Sequence, residues 1–212
     1  MRACKLIVAL GAAAMVTGAA SAQSITTLFD GGNGGSSGWG VFFNVEIFDP
    51  VGLTFTGIDL NARNGDGTPM DVEIYIFDAG EADLSAAGGD SASSAGWSLV
   101  STGTAIGGAN NVPTFFDLTN FSLTTGVHGF MVRSTGVGQN YTNGNGANQF
   151  FSNSDLSLTL GVTRSGADGF GGSFFNPRVW NGTLYYQPIP APGALALLGL
   201  AGACGMSRRR RA

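Results

Sequence analysis

Few side chains in this sequence could perform acid–base or nucleophilic catalysis. The single histidine, His128, lies in an apolar segment, where a strand-surface histidine without a catalytic role is the usual case. Asp71 and Glu73 share one face of a predicted strand and supply the two carboxylates that a glycosidase needs, but no opposing carboxylate wall is evident. We therefore predict that the chain is not an enzyme. A secreted hydrolase is a less favoured alternative, after the two non-catalytic roles given at the end of this subsection.

One short segment has the oxygen spacing of a calcium loop. Asn64, Asp66 and Thr68 alternate with two glycines, but Tyr75 stands where the acidic residue at the twelfth position of such a loop is expected. A glycine-assisted turn between two strands explains the same residues. We predict no cofactor, with Asn64 and Asp66 as weak metal candidates and calcium as the ion that an acidic, exported surface would attract.

Aromatic and amide side chains offer a way to bind sugars. Tyr141 lies in a glycine- and asparagine-rich stretch over residues 136–149, which predicts an exposed polar loop. Asn140 and Asn143 flank it, and Trp180 is a further aromatic candidate for stacking on a sugar ring. These four residues are the predicted ligand-binding candidates, whereas the other tryptophans are expected to fill the core.

The charges exclude one class of partner. Residues 23–187 contain four arginines, no lysine and fourteen acidic residues, a net charge of −10. A surface of this kind cannot offer the basic face that binds nucleic acid. Both cysteines, Cys4 and Cys204, lie near the chain ends, so the middle of the chain has no disulfide framework.

The elements that must position these residues are predicted to be strands. Apolar residues alternate with polar ones over residues 41–47, 53–60 and 70–76, and 35 of the 212 residues are glycine. Gly57 coincides with a slip in the alternation and predicts a β-bulge, and Asn181–Gly182 predicts a hairpin turn. We predict an all-β domain over residues 23–187, an antiparallel β-sandwich of jelly-roll type.

The N-terminus has the three parts of a secretory signal peptide. Arg2 and Lys5 precede an apolar run over residues 6–16, and Ala20 and Ala22 give the small-x-small cleavage pattern. The sequence therefore predicts a signal peptide over residues 1–22, cleavage by signal peptidase, and Gln23 as the first residue of the exported chain.

The C-terminus also has three parts. A proline-rich spacer begins at Pro188, an uncharged apolar run follows over residues 193–206, and four arginines precede the last residue. The apolar run predicts a short hydrophobic helix, below the about 20 residues that span a bilayer comfortably. The arginines would stop transfer on the cytoplasmic side. They are Arg208, Arg209, Arg210 and Arg211.

This tail resembles the PEP-CTERM sorting signal, with Pro190, Ala191 and Pro192 at the tripeptide and alanine in place of glutamate. The same tail is often labelled an ice-binding protein C-terminal domain, a label that describes the tail alone. The resemblance covers residues 188–212 and implies transient anchoring in the membrane, followed by cleavage near the tripeptide by an exosortase-like enzyme. It further implies a cell-surface or extracellular protein of a polysaccharide-producing bacterium.

Two roles follow from these expectations. The first is a non-catalytic structural or adhesive component of an extracellular matrix. The second is a carbohydrate-binding module that holds extracellular polysaccharide through the loop aromatics.

Overall fold

The computed structural model of the protein describes residues 22–190. Within this range the chain forms strands, turns and loops, with a 3-10 helix at Asp90–Ala92. The strands are β1 Gln23–Thr26, β2 Asn33–Gly34, β3 Gly40–Ile47, β4 Leu53–Arg63, β5 Pro69–Phe77, β6 Trp97–Ile106, β7 Pro113–Leu123, β8 Gly126–Thr135, β9 Gly138–Asn143, β10 Phe150–Ser152, β11 Leu156–Arg164, β12 Phe174–Phe175, β13 Arg178–Trp180 and β14 Gly182–Pro188.

These strands form two sheets, and the pairings within residues 22–190 are all antiparallel. The first sheet has the order β1-β14-β4-β9-β13, with β7 also paired to β4 and β2 to β9. The second has the order β10-β11-β3-β8-β5-β6, with β12 paired to β11. The prediction of an all-β, antiparallel architecture is confirmed, and the two sheets are consistent with a sandwich.

Four strand pairs are nested along the chain. β5 pairs with β6, β4 with β7, β3 with β8, and β1 with β14. Successive pairs lie alternately in the second and the first sheet. The outermost pair joins the two ends of the described chain, with Gln23 opposite Tyr186.

The main core lies between the sheets, because alternate residues of each strand point inward. On β3, Val41, Phe43 and Val45 belong to this core. Phe43 of the second sheet stacks on Trp180 of the first, with ring centroids 5.1 Å apart. Aromatic pairs of this kind add about 0.5–1.5 kcal/mol to what burial alone contributes.

A smaller apolar cluster covers the outer face of the second sheet. Phe42, which points away from the main core, contacts Trp97 and Phe170 edge-on. Asn44 holds the loop over residues 78–96 in place, since its side-chain amide exchanges two hydrogen bonds with the backbone of Ala82. This loop is therefore fixed onto the sheet.

The bulge predicted at Gly57 is confirmed. The register of β4 shifts between Phe55 and Gly57 against β7, and β14 shifts between Tyr185 and Tyr186 opposite the same point. A β-carbon at Gly57 would lie 2.7 Å from the ring of Phe115, so the close approach of that ring requires glycine.

The hairpin predicted at Asn181–Gly182 is wrong. β13 pairs with β9, whereas β14 pairs with β4 and β1, so the two flanking strands do not pair with each other. Gly182 serves close packing instead of a turn: a β-carbon there would lie 2.1 Å from the Trp180 ring. At Asn181 the chain passes from pairing with β9 to pairing with β4 and β1.

The first residue of the proline-rich spacer belongs to a sheet. Pro188 is the last residue of β14 and lies opposite Leu53, and the amide of Ile189 donates to the Gly52 carbonyl. Proline is tolerated at a strand end, where its missing N–H interrupts no ladder. The described range ends at the exposed Pro190.

The predictions for the two termini concern residues that the structure does not describe. Ala20, Ala191, Pro192, residues 193–206 and residues 208–211 lie outside the described range. Between residues 22 and 190, no helix has the length and apolar character needed to cross a bilayer.

Candidate functional site

The two aromatic residues predicted to bind a ligand lie in the core. Tyr141 is 2% exposed and Trp180 is fully buried. The prediction that Tyr141 projects from a polar loop is wrong, because the glycines and asparagines around it form β9, which pairs with β13 and β2. A buried ring offers no face to a sugar, so stacking by these two residues is not available in this structure.

The remaining tryptophans differ from each other. Trp97 is buried, in the outer cluster, whereas Trp39 is only half-buried and stacks on Phe175 with ring centroids 5.4 Å apart. The guanidinium of Arg178 lies 5.6 Å from the ring centroids of both Phe175 and Tyr141, a cation–π distance. Trp39 was expected in the core and is instead part of this surface stack.

Asn140, a predicted ligand-binding residue, belongs to a network of asparagines. Its Nδ2 donates to Asn61 Oδ1 and to Asn110 Oδ1, both over 3.0 Å. Asn110 Nδ2 donates to Asn64 Oδ1, and Asn61 Nδ2 donates to Asn111 Oδ1. We call Asn61, Asn64, Asn110, Asn111 and Asn140 the asparagine cluster. It joins β4, β9 and the loop between β6 and β7.

Asn143, the other amide predicted to bind, stands apart from this cluster. It is exposed at the end of β9, and its Oδ1 accepts a hydrogen bond of 3.1 Å from Asn33 Nδ2. The structure therefore separates the four predicted binding residues into two buried rings, one buried amide and one exposed amide.

The backbone is unusual at the asparagine cluster. Asn64 and Asn111 have φ angles of 53° and 63°, and they are the non-glycine residues with positive φ between residues 22 and 190. Asparagine adopts this left-handed conformation more readily than most residues, but it still costs free energy. Asn110 and Asn61 accept hydrogen bonds from the backbone N–H groups of Asn64 and Asn111, which offsets the cost.

The cluster forms the floor of a polar groove. One cavity of about 340 Å³ is lined by four members of the asparagine cluster, Asn64, Asn110, Asn111 and Asn140, and by the glycine-rich segment 31–34. A second cavity of about 390 Å³ continues toward residues 35–37 and 136–138. Both cavities are lined by Arg63 and Asn64. We call the two cavities together the Arg63 groove.

Arg63 differs from the other three arginines of the described chain. Arg133 forms an ion pair with Glu73 at 2.6 Å, Arg164 is buried against the Phe174 ring, and Arg178 stacks on aromatic rings as described. The exposed guanidinium of Arg63 donates from Nη1 to the Gly34 carbonyl over 3.0 Å. Among residues 22–190 no carboxylate lies within ion-pair distance of it.

The residues named as weak metal candidates form a turn. Thr68 donates its N–H to the Gly65 carbonyl and Gly67 has a φ of 74°, while Asp66 is exposed at the tip. The Oδ1 of Asn64 already accepts a hydrogen bond of 2.7 Å from Asn110. Within the described residues, no three or more His, Cys, Asp or Glu side chains group closely enough to hold a metal ion.

The candidate catalytic groups His128 and Glu73 do not line the groove. The ring Nε2 of His128 is 2.8 Å from the Thr124 carbonyl, and Glu73 is held by Arg133 and by the hydroxyl of Tyr75. Residues 34–38 match the Gly-x-Ser-x-Gly pattern around Ser36. However, the amide of Gly38, two residues after Ser36, donates to the carbonyl of Ser134 on β8. Ser134 is six residues from His128 along this strand, so the segment around Ser36 lies roughly 20 Å from His128 at about 3.3 Å per residue.

A larger cavity of about 470 Å³ lies on the outer face of the second sheet, beside residues 81–85 and Asn44. Two of its polar side chains are already paired: Asn44 holds Ala82, and the carboxylate of Asp83 accepts hydrogen bonds from Ser85, which lower the pKa of Asp83. We therefore favour the Arg63 groove, where donors and acceptors remain free, as the candidate site.

Two tyrosines that do not line the groove, the half-buried Tyr185 and the buried Tyr186, have raised pKa values. Burial, followed by the hydrogen bond to Asp59, raises the pKa of Tyr185 to about 12. Burial, with a further contribution from Asp155, raises the pKa of Tyr186 to about 12. These hydroxyls stay protonated at physiological pH and join strands, so their role is structural.

Sequence reasoning missed most of this site. Arg63, Asn61, Asn110 and Asn111 were not predicted to act together, and Asn64 was considered as a metal ligand. The available signal was the Asn110–Asn111 pair together with the glycines of residues 31–35. That pattern does not predict which residues form hydrogen bonds with each other, because the bonded residues are between 30 and 80 positions apart.

Comparison with models of known protein families gives no match, and comparison with curated proteins gives no significant match.

Proposed function

We propose that the chain is an exported surface protein, and that its non-catalytic β-sandwich is a structural or adhesive component of an extracellular matrix. The observation that carries this proposal is where the sheets begin and end. β1 begins at Gln23, directly after the predicted signal-peptidase site, and β14 ends at Pro188, just before the predicted sorting tripeptide. The sandwich occupies the interval between two processing signals.

Both predicted cuts would leave the sheets intact. A cut after Ala22 keeps the whole of β1, including the pairing of Gln23 with Tyr186. A cut near Pro190 keeps the pairing of Pro188 with Leu53. A protein that is trimmed at both ends during export needs this arrangement, since its stability cannot depend on the removed segments.

We infer in addition that the sandwich is of jelly-roll type. The four nested pairs support this, because a jelly roll is a long antiparallel hairpin rolled so that successive pairs alternate between two sheets. β9 to β13 form an insertion between the last two strands of that hairpin. The insertion contributes Asn140 to the Arg63 groove.

A carbohydrate-binding role is the second candidate, and the groove favours it in a different form from the one predicted. Asparagine amides and arginine can form hydrogen bonds with sugar hydroxyls, and both line the groove. The lining contains no pair of carboxylates that could hydrolyse a sugar. Binding would then depend on hydrogen bonds and not on the rings of Tyr141 and Trp180.

Fractionation of cells that express the full chain tests the proposed function. We expect wild type in the surface and matrix fractions of an exosortase-containing bacterium. Replacing Ala22 with tyrosine should block signal cleavage and hold the protein at the membrane. Wild type found only in the cytoplasm, or an Ala22→Tyr variant distributed like wild type, would contradict export by this route.

A further inference from the structure

We propose that the Arg63 groove binds a sugar unit that carries a carboxylate, as uronic acid units of extracellular polysaccharides do. The proposal rests on the proposed function, which places the protein among such polymers. It assigns a ligand class to a site built by Arg63, Asn140 and the glycine-rich segment 31–34.

The groove contains a positively charged hydrogen-bond donor, the guanidinium of Arg63. Arg63 uses Nη1 for the Gly34 carbonyl and makes no other hydrogen bond to residues 22–190. Its Nε and Nη2 are therefore available, and a guanidinium presents such paired donors in the geometry that a carboxylate accepts.

Asn140 supplies a free acceptor beside that donor. Its Nδ2 is occupied by Asn61, Asn110 and the Ala62 carbonyl, whereas its Oδ1 accepts no hydrogen bond from a residue of the described chain. The residue is only 6% exposed, and it lines the cavity. Because this oxygen has no donor within the described chain and its residue lines the cavity, a ligand hydroxyl can donate a hydrogen bond to it.

The two free groups both lie close to Gly34, whose missing side chain leaves room for them. A β-carbon at Gly34 would lie 2.7 Å from Asn140 Oδ1, 2.8 Å from Arg63 Cδ and 3.1 Å from Arg63 Nε. Arg63 Nε can only donate a hydrogen bond and Asn140 Oδ1 can only accept one, and both lie beside Gly34. This pair matches a ligand that has a carboxylate next to a hydroxyl. A uronic acid has that combination, whereas a neutral sugar leaves the arginine without an anion.

The charge of the protein makes this contact selective. Fourteen acidic residues against four arginines in the described chain repel polyanions in general. A carboxylated sugar is therefore expected to bind only where an exposed arginine has no carboxylate partner. Among the described arginines, Arg63 is the exposed one without such a partner.

Calorimetric titration of the full-length chain in a zwitterionic detergent tests the proposal. The probes are hexagalacturonate and the same hexamer with its carboxylates reduced to alcohols. We expect hexagalacturonate to bind at least tenfold more tightly than the reduced hexamer. Arg63→Gln should lower its affinity at least tenfold, and Arg63→Lys should lower it less, because lysine keeps the charge but not the paired donors.

Two matched controls accompany these variants. Arg133→Gln removes the same charge elsewhere and should leave the affinity unchanged. Gly34→Ala displaces the side chains of Arg63 and Asn140 and should weaken binding, whereas Gly32→Ala should not, because a β-carbon at Gly32 meets nothing within 4 Å. Melting temperatures of all variants show which remain folded. If Gly34→Ala does not fold, the variants of the exposed Arg63 still test the proposal.

Three results would overturn the proposal: no binding of hexagalacturonate by wild type, equal binding of the reduced hexamer, or equal effects of Arg63→Gln and Arg133→Gln. Each leaves the proposed function untouched, since export is judged by fractionation and not by this titration.

Discussion

Asn140 Nδ2 donates a hydrogen bond of 3.0 Å to Asn61 Oδ1, across 79 positions of the chain. Asn61 is fully buried and Asn140 nearly so, which shields the contact from most of the solvent. The contact ties β9 to β4 at the floor of the Arg63 groove. Groove and fold therefore depend on the same hydrogen bonds.

Asn61→Ala is expected to destabilise the protein. The change removes the hydrogen bonds that Asn61 Oδ1 accepts from the Asn111 backbone N–H and from the buried Asn140 Nδ2, and each such bond contributes about 0.5–1.5 kcal/mol. Chemical denaturation should show a loss of that order. Asn120→Ala, at an exposed position of β7, should change the free energy of unfolding by less than about 0.5 kcal/mol. Equal effects would mean that the asparagine cluster does not stabilise the fold.

The tryptophans should differ sharply in their contribution to stability. Trp180 is fully buried and stacked on Phe43, so Trp180→Ala should cost about 3–5 kcal/mol. Trp39→Ala removes a half-buried ring from a surface stack and should cost clearly less. Urea unfolding monitored by circular dichroism measures both. A larger loss for Trp39→Ala would contradict the placement of the two rings.

Alkaline pH should weaken the fold through its buried tyrosines. The pKa of Tyr186 is about 12 in the folded chain, against 10.0 for an ordinary tyrosine, because burial disfavours the ionised form. Its contribution is therefore complete below pH 10 and is lost as the pH rises toward 12. The expected slope is roughly 1 kcal/mol per pH unit for this group.

Denaturant unfolding between pH 8 and pH 12 measures this loss, and no lysine titrates between residues 22 and 190 to obscure it. Tyr186→Phe should flatten the pH dependence, and Tyr185→Phe should do so for the same reason. Identical slopes for wild type and Tyr186→Phe would show that this hydroxyl does not titrate as expected.

The period-two patterns of the sequence predicted the strands well, because each strand buries one face. Val41, Phe43 and Val45 alternate with residues that face outward, and the slip at Gly57 marks the bulge. Such signals are local, and a local pattern suffices where burial on one side decides the structure.

The site was harder to predict, because its parts are defined by partners far along the chain. Tyr141 lies among glycines and asparagines that are typical of loops, yet pairing with β13 makes this segment a strand. Asn181–Gly182 has the composition of a hairpin turn, but tight packing against Trp180 explains its glycine. Which strands pair, and which amides meet, depends on the whole topology.

The central claim is that this sandwich is delivered to the cell surface between two processing events. Intact-mass spectrometry of the surface-located protein tests it most directly. The account predicts a chain that begins at Gln23 and has lost Arg208, Arg209, Arg210 and Arg211, with cleavage near Pro190. Surface protein that retains these four arginines in every molecule would contradict the sorting mechanism, and a chain that still begins at Met1 would contradict export by a cleaved signal peptide.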